Sequence, residues 1–153
     1  MRVKGFDPFL TDGKLLVLGS FPSVRSREVN FYYGNRQNRF WKVLAETFSR
    51  PVPETITEKQ DLLRFCGVSL WDVVTECEIV GSMDKDIRSP VLADLPALLA
   101  AHPFDKILAN GATAYALLLK AYPELSRFAV KMPSTSPANG RFDQTVWTRE
   151  LLS

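Results

Sequence analysis

The chain has one histidine, His102, and two cysteines, Cys66 and Cys77, in 153 residues. A lone histidine excludes histidine-clustered metal centres and mechanisms that need two imidazoles. The cysteines have no CxxC spacing and cannot supply the four thiolates of a zinc or iron–sulfur site within one chain. They read as reduced, packed thiols. No apolar run approaches the ~20 residues of a membrane span. The opening Met1-Arg-Val-Lys-Gly-Phe-Asp-Pro8 has neither a long apolar core nor a small-residue cleavage site. A cytoplasmic protein without a membrane partner is therefore expected. The GxxxxGK[ST] phosphate loop, the GxGxxG fingerprint and the GxSxG nucleophile elbow are all missing. His102, in Ala-His-Pro ahead of an apolar run, reads as a loop residue.

Charge is also scarce in net terms, at +2 with a pI near 8.6. That alone does not call for nucleic acid. Its distribution is more telling. Arg25, Arg27, Arg36, Arg39 and Lys42 fall between Ser20 and Lys42 against one acid, Glu28. Phe21, Phe31, Tyr32, Tyr33, Phe40 and Trp41 are interleaved with them. Such a stretch suits phosphate contacts with base stacking. It equally suits a solvated loop with its aromatics turned into the core. With 46% hydrophobic and 24% charged residues, the chain reads as one globular domain over 1–153.

Residues 14–18 (Lys-Leu-Leu-Val-Leu) form an apolar run bounded by glycines and predict a buried strand of a parallel sheet. Residues 20–37 show no period and read as a long functional loop. Helices are expected over 38–48, capped by Asn38, and over 57–66, with Thr57 as cap, Gln60 as its box partner and Gly67 after the end. Residues 68–74 alternate as one strand, with Trp71 and Val73 on the same face. The polar stretch 82–88 reads as loop. A helix over 92–101 tolerates Pro96 in its first turn. A strand over 105–110 leads to a helix over 111–121, and a last strand over 127–132 to a turn-rich loop over 133–140. A C-terminal helix over 142–152 closes the chain. Alternation of this kind predicts an α/β fold: a three-layer α/β/α sandwich on a mostly parallel four-stranded sheet. Ligands then bind beyond the carboxyl ends of the strands. Gly19, Asn110 and Pro133, which follow three of those strands, should converge on one cleft.

Gly19-Ser-Phe-Pro-Ser23, Phe31-Tyr-Tyr-Gly-Asn-Arg-Gln-Asn-Arg-Phe-Trp41 and Met132-Pro-Ser-Thr-Ser-Pro-Ala-Asn139 stand in this order from the first predicted strand to the last. Together they resemble the motifs of the uracil-DNA glycosylase superfamily, and most closely its hypoxanthine (deoxyinosine) branch. The resemblance spans about residues 14 to 147. It implies a monofunctional DNA glycosylase of base-excision repair that needs no cofactor or metal. Such an enzyme acts on double- or single-stranded DNA containing a deaminated base, and a monomer is expected. A glycosylase flips its target nucleotide into a pocket. Arg36 and Arg39 can touch phosphates. Pro133, Ser134, Thr135, Ser136, Pro137, Ala138 and Asn139 can form a wedge for the minor groove. Phe21, Tyr32 or Tyr33 can stack on the base, and Ser20 and Ser23 offer short donors and acceptors.

Two departures from the superfamily pattern bear on substrate. Phe21 stands where most branches carry a water-orienting Asp or Asn, and Met132 where some carry a histidine that supports the leaving base. The hypoxanthine branch shares the first loss, and the resemblance carries its catalytic asparagine onto Asn38. A second asparagine after the third strand maps onto Asn110. The implied roles are water or sugar positioning for Asn38, and base holding for Asn110 with Ser23. Helix capping is the plain alternative for both asparagines. An aromatic floor at Phe21 favours a flat purine such as hypoxanthine. The competing readings are a mismatch-specific uracil/thymine glycosylase, a damage binder with weak catalysis, and a nucleoside hydrolase. With no metal site in the sequence, EDTA should leave base release unchanged, and metal analysis of purified protein should find no stoichiometric zinc or iron.

Overall fold

In the computed structural model, which describes residues 2–79 and 87–153, the apolar run becomes strand β2, Leu15–Gly19, after a short β1, Arg2–Lys4. Helix α1, Val24–Val29, and helix α2, Phe40–Thr47, follow, then α3, Ile56–Cys66. Strands β3, Val68–Asp72, β4, Val74–Ile79, and β5, Ile87–Leu92, precede α4, Leu95–Ala101. The chain ends with β6, Lys106–Asn110, α5, Ala112–Ala121, a 3₁₀ turn at Pro123–Arg127, β7, Ala129–Met132, and α6, Gln144–Leu152.

The central sheet has the order β3-β2-β6-β7 and is parallel throughout. The central strands β2 and β6 are buried on both faces, which is why they read as near-continuous apolar runs. Alternation divides β2 between two cores. Val17 faces α2, α3 and α6, packing with Phe40, Leu44, Leu63 and Trp147. Leu16 and Leu18 face the other layer with Leu95, Phe104, Ile107 and Leu118. The result is the expected three-layer α/β/α fold on a four-stranded sheet.

Three local expectations need correction. The segment 20–37 is not loop throughout: Ser23 caps α1 through Ser26 N–H at 3.1 Å, and Asn30 closes it with φ 64°. Six residues bearing an Arg–Glu pair carry too little apolar period to be seen in sequence. The cap of α3 is Thr55 rather than Thr57, with Glu58 rather than Gln60 completing a reciprocal capping box. Gly67 ends that helix as expected, at φ 71°.

The stretch 68–74 is also two strands, not one. β3 ends at Asp72 in the parallel sheet, whereas β4 joins β1 and β5 in an antiparallel three-stranded sheet that sequence reading missed. Most of the polar 82–88 segment lies outside the described residues, and its end belongs to β5. Pro96 is accommodated in the first turn of α4 behind the Asp94 cap, as expected. Cys77 is buried, and burial pushes the Cys66 thiol up to about 12, so neither is a nucleophile at neutral pH. His102 hydrogen-bonds the Thr11 carbonyl at 2.6 Å and stacks on Phe104.

The cap assignment is directly testable. Thr55→Ala should lower unfolding free energy by about 1 kcal/mol in urea titrations. Thr57→Ala, lacking a cap bond, should stay within about 0.5 kcal/mol of the parent.

Candidate active site

Strand register sets the site. Gly19 pairs with Asp72, Leu18 with Ala109, and Asn110 with Met132. The last residues of all four parallel strands therefore stand side by side as Asp72, Gly19, Asn110 and Met132. Beyond them opens a cleft of about 550 Å³. Gly19, Ser20, Phe21, Ser23, Tyr32, Tyr33, Asn38, Asp72, Asn110, Thr113 and loop residues 134–139 line it, with Ile79 and Ile87 of the β4–β5 hairpin. Pro133 faces a second hollow of about 490 Å³, and Ser134 and Asn139 line both. The 133–139 loop is thus a wall between two hollows.

The cleft floor is tightly built. A Cβ on Gly19 would collide with the Asp72 carboxylate and come within 3.3 Å of the Tyr33 hydroxyl. The Asp72 residue is only 4% exposed. Tyr33 takes φ 52°, a backbone conformation that non-glycine residues seldom adopt. Its ring lies 4.5 Å from that of Phe40, and its hydroxyl is buried beside Asn110. Burial, and then the nearby Asp72 carboxylate, push the Tyr33 phenol well above its ordinary value. It remains a neutral hydroxyl across the working pH range.

The remaining aromatics divide by role. Phe31, Phe40 and Trp41 are core, and Trp41 Nε1 donates to the Tyr33 carbonyl at 3.1 Å. Tyr32 reaches the cleft, but it is 3% exposed and its hydroxyl donates to the Asp7 carbonyl at 2.7 Å. That leaves Tyr33 as the better-placed stacking platform of the two. Phe21 lies against Val74, Cys77, Ile79 and Ile87, with the Arg27 guanidinium 5.8 Å from its ring centre. It gives one side of the cleft an apolar wall.

The two asparagines differ. The cap of α2 is Arg39, without a side-chain cap bond, and not Asn38 as expected; Asn38 Oδ1 instead accepts from Phe40 N–H at 2.9 Å in the turn ahead of the helix. The amide nitrogen remains as the donor that Asn38 can offer to the cleft. Asn110 is engaged on both ends of its amide. Thr135 N–H donates to its Oδ1 at 3.0 Å, and its Nδ2 donates to Thr135 Oγ1 at 3.0 Å. Asn110 thus clamps the loop, and its Oδ1 keeps a second lone pair. Ser23 likewise gives its hydroxyl to the α1 cap and to Ser26 Oγ, at 3.0 Å.

The basic residues differ too. Arg36 is exposed in the turn before α2, between Asn35 and Asn38, which both line the cleft. Arg39 is half-buried, and its Nη1 donates to the carbonyls of Ser136 at 3.0 Å and Asn139 at 2.9 Å. Asp72, like Asp7 and Asp12, reads in the sequence as an available carboxylate with nothing in its setting to mark a general base; strand register places it on the cleft floor. Met132 is buried in the core, so no polar group takes the place of the histidine of other branches.

Asn110→Ala removes two hydrogen bonds from a buried threonine. It should cost about 2 kcal/mol at roughly 1 kcal/mol per bond, measured by denaturation, and should speed amide exchange at Thr135.

The chain is 30% identical over 149 residues to the hypoxanthine DNA glycosylase of Methanosarcina acetivorans, spanning 94% of this chain and 92% of that one. It is 27% identical over 114 residues to the hypoxanthine DNA glycosylase of Methanosarcina barkeri, covering 72% of each. Among solved structures, the solution NMR structure of a candidate uracil DNA glycosylase from Methanosarcina acetivorans matches with a TM-score of 0.81 at 29% identity over 100% of both chains. No family model matches. With these relatives covering nearly the whole chain, and a cleft at the carboxyl ends of four parallel strands, the chain belongs to the hypoxanthine DNA glycosylase branch of the uracil-DNA glycosylase superfamily.

Proposed function

We propose that the protein is a monofunctional DNA glycosylase that hydrolyses the N-glycosidic bond of deoxyinosine in DNA and releases hypoxanthine. The observation that carries this reading is the near-full-length match to a hypoxanthine DNA glycosylase. The cleft supplies the means. Arg36 meets phosphate, the loop tip Pro137-Ala138 fills the space the base leaves, and Tyr33 stacks on the extruded purine. Phe21, Ile79 and Ile87 exclude water from its other side.

Asn110 Oδ1, which keeps a second lone pair beside its bond from Thr135 N–H, is the acceptor for the N1–H of hypoxanthine. Adenine presents a lone pair at N1, which the amide oxygen repels, so the same contact discriminates against the parent base. The path is dissociative: the glycosidic bond lengthens, positive charge builds on the sugar, and water adds. Fixed donors aimed at the leaving base then carry most of the barrier reduction. Asn38 Nδ2 is such a donor, held in orientation by the bond from Phe40 N–H to its oxygen.

The test is single-turnover release from single- and double-stranded oligonucleotides carrying deoxyinosine, deoxyuridine or deoxyxanthosine. Deoxyinosine should react fastest. Faster uracil release would replace this reading with a uracil glycosylase, and DNA binding without abasic product would replace it with a damage binder. Asn38→Ala should slow hypoxanthine release by about 100-fold or more. Asn38→Asp should slow it comparably while keeping parental stability, because aspartate still accepts from Phe40 N–H but donates nothing.

A further inference from the structure

We infer that Arg39 is a positioning residue that locks the 133–139 loop to the turn bearing Asn38, so that wedge and catalytic amide enter the DNA as one rigid unit. The inference rests on the reading above for the loop's task, but the geometry is independent of it. One residue meets three carbonyls of the loop. Arg39 backbone N–H donates to Thr135 O at 3.0 Å, and Nη1 donates to Ser136 O at 3.0 Å and Asn139 O at 2.9 Å. The guanidinium lies 5.0 Å from the centre of the Phe142 ring, just beyond the loop. From the other side Asn110 holds Thr135, which is fully buried. Ser134 Oγ and Ser136 Oγ accept from Ser136 and Ala138 N–H at 3.2 Å each, and Asn139 Nδ2 donates to Ser134 O at 3.0 Å.

The loop's carbonyls thus turn inward to donors, and its tip, Pro137-Ala138, stays exposed. Anchored flanks with a small apolar tip suit insertion between base pairs. Arg39 is bonded covalently to Asn38, so any shift of the loop moves the amide, and a misplacement of about 1 Å at a reacting centre can cost about 100-fold in rate. A guanidinium is needed because a lysine ammonium ends one bond short and cannot lie flat on Phe142. Arg36, exposed and only three residues earlier, is the natural phosphate contact, and the two arginines separate into different tasks.

The experiment compares Arg39→Ala, Arg39→Lys and Arg36→Ala by three readouts. The first is the salt slope of binding to undamaged duplex. Arg36→Ala should lower it by about 0.9, and the Arg39 variants should leave it unchanged. The second is amide exchange at Ser136, Ala138 and Asn139, which should quicken about tenfold in both Arg39 variants and not in Arg36→Ala. The third is single-turnover hypoxanthine release at saturating enzyme, which should fall by about tenfold or more in both Arg39 variants, with methylguanidinium restoring part of it in Arg39→Ala. If Arg39→Ala does not fold, Arg39→Lys carries all three readouts. A slope lowered by about 0.9 with unaltered loop exchange would make Arg39 a phosphate contact and overturn the inference. Unchanged exchange and rate would overturn it as well. Failure of the parent protein to release hypoxanthine defeats the proposed activity instead, and exchange and salt slope still decide the clamp.

Discussion

Thr135 is fully buried, and its polar groups must find partners there. Its N–H and Oγ1 are met by the two ends of the Asn110 amide, and its carbonyl by Arg39 N–H. An unmet buried polar group costs about 1–3 kcal/mol, so this threonine ties the end of β6, the loop after β7 and the start of α2 into one arrangement. The cleft depends on that tie. Asn38 precedes Arg39, Asn110 ends β6, and loop residues 134–139 form one wall. A site assembled from distant segments is held at a single buried residue, and no large apolar contact is needed at its rim.

Backbone bonding and catalysis need not compete at Asn38. The bond from Phe40 N–H to its oxygen orients the amide and leaves the nitrogen as the group to present. Local backbone chemistry here prepares the side chain for its task. At Ser23 and Asn110 the same economy holds, because bonds to backbone and neighbouring side chains fix the orientation of the polar atoms that sequence offered to a base.

Strands buried on both faces announce themselves as apolar runs, so β2 and β6, and with them the parallel sheet and its cleft, were legible in sequence. The three motif blocks at strand ends were legible for the same reason: register brings such ends together. The short α1 and the β1-β4-β5 sheet were not, because half-exposed strands and a six-residue helix carry weak periodicity. The place of Asp72 at a strand end was not legible either, because a change of sheet at Val73 leaves no mark when apolar alternation continues across it. The separate tasks of Arg36 and Arg39 were equally hidden. Spacing says nothing about which guanidinium turns toward carbonyls of a loop about a hundred residues further on.

The account stands most directly on a structure of the protein bound to a duplex carrying 2′-fluoro-2′-deoxyinosine, whose fluorine slows cleavage by destabilising positive charge on the sugar. The hypoxanthine should lie in the cleft with Tyr33 against one face, its N1–H toward Asn110 Oδ1 and Asn38 Nδ2 within hydrogen-bond distance. Pro137-Ala138 should occupy the vacated space in the duplex. A hypoxanthine left stacked in the helix, or bound away from the ends of β2, β3 and β6, would contradict it.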